Sequence, residues 1–247
     1  MNDHELAAEL ASRAGELLLA LRQELADAPP AVRKAGGDKE SHHFLMEELS
    51  ARRPGDAVLS EEATDDKLRL SARRVWIVDP LDGTREFAEP GRQDWAVHVA
   101  LWCGGELAAG AVALPAQGVT LATPEVPAPP APAAAPRIVV SRTRPPEVAV
   151  RVRDRLGATL VEMGSAGAKV AAVVRGRAEV YVHAGGQYEW DSAAPVAVAR
   201  AAGLHTSRID GSPLRYNQPD PLLPDLLVCR TEYAEAALAA LREDAGG

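Results

Sequence analysis

The chain has 247 residues, 47% hydrophobic and 25% charged, ample for a globular protein with a sizeable core. Its net charge of −8 argues against a nucleic-acid polymer as partner, since phosphate backbones need a basic face, and 4% aromatics leave few stacking platforms. Two cysteines, Cys103 and Cys229, stand outside any CxxC pair and read as reduced, buried and inert.

The opening stretch MNDHELAAELASRAGELLLALRQEL carries acids early and lacks the pattern of a signal peptide. No apolar run has the length of a membrane span, so the expected compartment is the cytoplasm. Residues 3–25 place Leu6, Leu10, Leu17, Leu18, Leu21 and Leu25 near one helical face, and Pro29-Pro30 end that helix. A second helix is expected over 38–53, with Leu45, Met46 and Leu49 inward. AVLSEE (57–62) reads as a short strand running into acids, and VWIVDP (75–80) as a strand stopped by Pro80. A third strand, 95–103, and a hairpin over 106–123 complete a mostly antiparallel sheet.

TPEVPAPPAPAAAP (123–136) can form neither ladder nor helix, and residues 124–136 read as an exposed loop or linker. It separates an N-terminal α+β half, 1–123, from an α/β half, 137–247. In the second half strands (RIVVS, ATLVEMG, AEVYVH, DLLVCR) alternate with helices (PPEVAVRVRDRLG, SAGAKVAAVVRG, WDSAAPVAVARAAG, and 231–243).

Asp79 and Asp82 stand three apart across Pro80, at the end of an apolar strand. Glu61-Glu62 end another strand in the same way. If the two strands are neighbours, these carboxylates crowd one spot, where they repel or take up protons unless hard divalent cations neutralise them. An all-oxygen donor set suits Mg²⁺ better than zinc. Gly83 lets a phosphate approach the backbone, and the Thr84 hydroxyl can hold an attacking water. Asp-Pro and Asp-Gly are also common turn dipeptides, and Asp191 taken alone reads as a plain helix N-cap.

LSEE, WIVDPLDGTREF, GSAGAK and EWDSAAP, in this order and spacing, resemble the inositol monophosphatase superfamily of Mg²⁺-dependent, lithium-sensitive phosphatases. The resemblance runs from about residue 5 to the C-terminus; DGTREF, DW and HAGGQYEWD look most like its CysQ-type 3′(2′),5′-bisphosphate nucleotidases. It implies a layered αβαβα sandwich. It also implies that Glu61, Asp79 and the Leu81 carbonyl hold one Mg²⁺, and that Asp79, Asp82 and Asp191 hold a second. Glu61 would face a third ion. Thr84, paired with an acid from the second helix, would orient the water. Asp38 is the candidate acid, although VRKAGG precedes it where the family has a threonine and an earlier acid.

The implied reaction is in-line attack of a metal-bound water on a phosphate monoester, without a phosphoenzyme. For the rest of a nucleotide substrate, Gly83, Thr84 and Asp191 would lie beside the scissile phosphate, with Ser165, Lys169, His183, Arg144 and Arg215 as further contacts, and Arg92 as another guess. The expected substrate is adenosine 3′,5′-bisphosphate, yielding AMP, or 3′-phosphoadenylyl sulfate, in sulfur assimilation. An inositol-1-phosphate or fructose-1,6-bisphosphate phosphatase is the alternative, and a non-catalytic binding protein on the same fold a more remote one. Relatives are commonly dimers, but no interface for a homodimer is legible in the residues.

Overall fold

A computed structural model of the chain describes residues 1–143 and 146–242. Five layers stack in the order helices, sheet, helices, sheet, helices. The outer pair is α1 (Asp3–Glu24) and α2 (Pro30–Arg52). They cover one face of a sheet made by β1 (Ala57–Ser60), β2 (Arg74–Asp82), β3 (Ala96–Cys103), β4 (Glu106–Leu114) and β5 (Val119–Ala122), in that order. A short helix, α3 (Thr84–Ala88), leaves the end of β2. The second sheet contains β6 (Arg137–Ser141), β7 (Thr159–Met163), β8 (Val180–Tyr188), β9 (His205–Ser207) and β10 (Leu222–Cys229), ordered β7-β6-β8-β10-β9. Between the sheets lie α5 (Ala166–Val174) and α6 (Glu189–Ala201); α4 (Glu147–Leu156) and α7 (Thr231–Arg242) close the far side.

Each gap between layers holds its own apolar core. Leu6, Leu10 and Leu18 of α1 pack with Leu45 of α2 and with Trp76 and Val78 of β2. Ile77 and Val112 of the first sheet meet Val170 and Val173 of α5, Val196 of α6, and Val139 and Leu226 of the second sheet in one continuous cluster. Ile138 and Val182 meet Val152 of α4 and Ala237 of α7. The middle helices are buried on both faces, which explains why AGAKVAAVV and AAPVAVA are rich in small and β-branched residues with little polarity.

Local chemistry accounts for the starts and stops. Asn2 accepts from the Glu5 backbone N–H while Glu5 accepts from that of Asn2, a reciprocal cap on α1. The second helix begins at Pro30, well before the expected residue 38, because proline is favoured in a first turn and Gly36-Gly37 do not break the helix. At Gly37 the absent side chain is a packing requirement: a Cβ would lie 2.6 Å from Leu81 Cδ2 and 2.8 Å from the Phe87 ring.

Pro80 does not end β2 either. The strand runs on to Asp82 through an irregularity in its pairing with β3, where Asp79 faces His98 and Asp82 faces Ala96. A bulge tolerates the missing proline N–H. The linker carries no helix or strand, but it is not wholly exposed. Val126 joins the central core, and the Pro130 carbonyl accepts from Arg230. Cys229 is buried, whereas Cys103 is only partly so. Among the described residues no helix is long and apolar enough to cross a membrane.

Candidate active site

Strands β1 and β2 are parallel neighbours, with Ser60 beside Val78, so Glu61 and Asp79 leave the sheet at the same edge. The bulge then keeps Asp79 and Asp82 together. Asp79 Oδ1 accepts from the Leu81 N–H at 3.0 Å, closing a tight turn around Pro80, and the Pro80 carbonyl accepts from Ser41 Oγ of α2 at 2.6 Å. Gly83 follows with φ +85°, a conformation that glycine adopts without strain, and α3 begins at Thr84.

Asp191 enters from the second half. It is not an N-cap but the third residue of α6, and its Oδ2 accepts from the Tyr188 N–H at 2.7 Å. Three of the four acids are raised, in part by their acidic neighbours. Burial, then Asp82, Glu61 and Asp191, push Asp79 well above the usual carboxylate range. Burial, then Asp191 and Asp82, raise Glu61 to about 7, although its side chain reaches the surface. Burial and Asp82 raise Asp191 to about 6.

Asp82 is the exception. Burial works to raise it, but His98, Ser165 and the Gly167 N–H outweigh that and hold it at about 2. It accepts from Ser165 Oγ at 2.5 Å, Ala166 N at 3.2 Å and Gly167 N at 2.7 Å. A carboxylate from the first half therefore satisfies the first turn of α5 in the second. Ser165, at φ +49°, also accepts from the Ala168 N–H, so its hydroxyl is committed within the protein. Ser165 also lines the cleft beside the acids, and its hydroxyl holds Asp82 and the start of α5 in place.

Sequence reasoning missed His98. Its ring is fully buried; Nδ1 donates to the Trp190 carbonyl at 3.0 Å, and Nε2 lies 3.2 Å from Asp82 Oδ2. Burial works against its proton, but Asp82 and Trp190 raise its pKa overall. The only sequence signal was a titratable residue inside the apolar strand WAVHVALWC. Asp79, Asp82 and His98 offer ligand atoms within 4.8 Å of one another. With Nδ1 held by the Trp190 carbonyl and Nε2 facing Asp82, His98 serves as the ion-pair partner of Asp82. The carboxylates and the Leu81 carbonyl are oxygen groups that could hold a cation, and Asp82 Oδ1 accepts only one bond among the described residues, which leaves a lone pair for one. This set of hard oxygens fits a divalent metal.

Thr84 Oγ1 lies 3.2 Å from Asp38 Oδ1 and 3.1 Å from the Leu81 carbonyl. Burial and the nearby Glu62 raise Asp38 to about 6. Beside them a cleft of about 300 Å³ is lined by Gly83, Thr84, Arg142, Gly164, Ser165 and Lys169 among others. Lys169 is buried with no carboxylate partner among the described residues. Its Nζ reaches only the Gly164 carbonyl at 3.4 Å and the Tyr181 ring at 5.4 Å. Burial lowers its pKa, against the pull of Asp82, Glu86, Asp191 and Asp94.

The other basic residues stand differently. His183 lies within β8 and donates Nε2–H to the Gly185 carbonyl at 2.5 Å. Arg215 is exposed and does not line the cleft, so the structure does not bring it to the site. Arg92 pairs with Asp94, which accepts from the Gly164 N–H. Arg144 lies outside the described residues. Arg142, not singled out in the sequence, holds Glu86 at 2.6 Å and Glu89 at 2.5 Å on the cleft wall.

Five alternating layers with an acidic, oxygen-rich centre between the halves define a phosphatase-type α/β sandwich. The chain belongs to the inositol monophosphatase family, whose model matches residues 4–126 and 133–246. It is 52% identical to a 3′-phosphoadenosine 5′-phosphate phosphatase of Mycobacterium leprae, over 98% of this chain and 94% of that protein. Among solved structures it resembles inositol monophosphatase II of Staphylococcus aureus, with TM-score 0.81 and 22% identity over 96% of this chain and 95% of the other. It also resembles CysQ of Bacteroides thetaiotaomicron, with TM-score 0.73 and 27% identity over 91% of this chain and 96% of the other.

Proposed function

We propose that this chain is a Mg²⁺-dependent 3′-nucleotidase that hydrolyses adenosine 3′,5′-bisphosphate to AMP and phosphate. By the same chemistry it converts 3′-phosphoadenylyl sulfate to adenylyl sulfate, in sulfur assimilation. The observation that carries this reading is the buried, carboxylate-free Lys169 on a cleft that starts at Gly83-Thr84, beside the acidic centre. A substrate with one phosphate at the acids and a second anionic group near Lys169 matches that layout. The M. leprae relative is named for such a substrate.

Glu61, Asp79 and the Leu81 carbonyl would hold one cation, and Asp79, Asp82 and Asp191 a second. Bound there, Mg²⁺ supplies a water of lowered pKa and positive charge for the phosphoryl oxygens. Thr84 and Asp38 form a donor–acceptor pair able to orient that water and take its proton. His98 keeps Asp82 ionised and in place. Lys169, already desolvated, offers its charge to the second phosphate with little further desolvation cost.

The test is phosphate release from equal concentrations of adenosine 3′,5′-bisphosphate, 3′-phosphoadenylyl sulfate, inositol 1-phosphate and fructose 1,6-bisphosphate, with Mg²⁺ and with EDTA. Preference for the two nucleotides, abolished by EDTA, is expected. Preference for a sugar or inositol phosphate would reject the nucleotide reading and leave the acidic centre standing.

A further inference from the structure

Behind α3, away from the catalytic cleft, two arginines meet without an acid. Arg22 of α1 donates to the backbone carbonyls of Arg92 at 2.9 Å, Glu86 at 3.4 Å and Glu89, and its guanidinium lies over the rings of Phe87 and Trp95. Arg33, near the start of α2, donates Nη1–H to the Ala26 carbonyl at 2.8 Å. Its side chain is 9% exposed, and its buried Nε–H has no hydrogen-bond partner. Among the described residues neither guanidinium has a carboxylate within salt-bridge distance. Both line a half-open cavity of about 160 Å³, together with Ala26, Ala88 and Pro90.

Buried charges in proteins are normally paired, because an unpaired one bears the full cost of desolvation. Here the buried Arg33 faces a second, half-buried arginine instead; burial and the charge of Arg33 together lower the pKa of Arg22. The adjoining start of α2 adds to the positive field. Pro29 gives it no side-chain cap, and no acid occupies its first turn. The cavity is too small for a nucleotide but suits a compact ion.

We propose that Arg22 and Arg33 form a binding site for a small tetrahedral oxyanion, phosphate or sulfate, separate from the catalytic cleft. The unpartnered Arg33 Nε–H, with the Arg22 Nε–H that donates to none of those carbonyls, supplies the charge-assisted donors such an ion needs. Since Arg22 also grips the carbonyls at the end of α3, an ion here stiffens the support of the helix that carries Thr84.

Thermal melting of EDTA-treated protein tests this, with sodium phosphate or sulfate compared against chloride at matched ionic strength. Phosphate and sulfate should raise the midpoint by roughly 2–4 °C at concentrations several-fold above Kd, in wild type and in Lys169→Met alike, and chloride should not. The rise should vanish in Arg33→Met. Retention of the rise in Arg33→Met, its loss in Lys169→Met, or an equal rise in chloride would overturn the proposal. A measurement independent of variant folding is a selenate soak of wild-type crystals. An anomalous peak between Arg22 and Arg33 is expected, and its absence would reject the site.

Discussion

The Ser165 hydroxyl donates to the Asp82 carboxylate across 2.5 Å, joining a strand end of the first half to a helix start of the second. Asp82 has three donors from that turn, more than one amide oxygen satisfies. Asp82→Asn should lower the stability of the metal-free protein by about 1–2 kcal/mol, read by urea denaturation, and should abolish phosphate release.

Asp38 is raised to about 6 by burial and by Glu62, so its carboxylate forms as pH rises through that value. If it takes the proton of the water beside Thr84, kcat/KM should climb across an acid limb near pH 6. Asp38→Asn should reduce kcat by about 10²–10⁴ and remove the limb. A pH–rate profile in which the limb survives in the variant would exclude Asp38 as the base.

Lys169→Met should raise KM for adenosine 3′,5′-bisphosphate by roughly 10–100-fold, the worth of one buried charge-assisted hydrogen bond. Turnover of inositol 1-phosphate, which lacks a second phosphate, should change little. Steady-state kinetics on both substrates separate this specific loss from general damage.

Gly167 sits where a Cβ would lie 2.0 Å from His98 Nε2. His98 is fully buried and held between the Trp190 carbonyl and Asp82, so a shift would break one of these contacts. Gly167→Ala should therefore cost about 1–3 kcal/mol and lower activity together with stability, seen by melting and phosphate release on one preparation.

Asp65 grips the buried Arg69 with both oxygens, at 2.6 and 2.9 Å, and Arg69 in turn holds Asn217 and the Gln218 carbonyl. Its hydrogen bond to Arg69 lowers its pKa from 3.8 to about 2 despite opposing desolvation. A depressed carboxylate stabilises the fold above its unfolded pKa and loses that contribution as pH falls through its folded value. Asp65→Asn should thus cost about 1–2 kcal/mol at neutral pH after solvent screening, and the gap from wild type should close between about pH 4 and pH 2.

Much of this arrangement was legible because its signals are short in sequence. DPLDGT and LSEE concentrate acids at the end of an apolar run, EWD stands at the start of a helix, and the structure brings Glu61, Asp79, Asp82 and Asp191 into mutual electrostatic reach. The alternation of helices and strands after residue 137 likewise reads directly from periodicity. Long-range relationships were not legible. The role of His98 depends on Asp82 across a strand pair and on Trp190, 92 residues away. The start of α2 was misplaced because local propensity counts Gly36-Gly37 as a break, whereas packing against Leu81 and Phe87 demands a small residue at Gly37. The passage of β2 through Pro80 depends on a bulge that only the register with β3 reveals. The short β9 offers only three residues, too few for a period to show.

The placement of α5 and α6 between the two sheets has a consequence for how the polypeptide could be divided. The second half alone would leave one side of these helices bare, and the first half alone would leave a face of its sheet bare and Asp82 without its donors. Scission at the exposed Ala134–Ala135 bond should therefore yield two fragments that stay associated through dilution and gel filtration. Expressed as separate polypeptides, residues 1–134 and 135–247 should reconstitute one particle, with neither gaining a cooperative melt until the other is added.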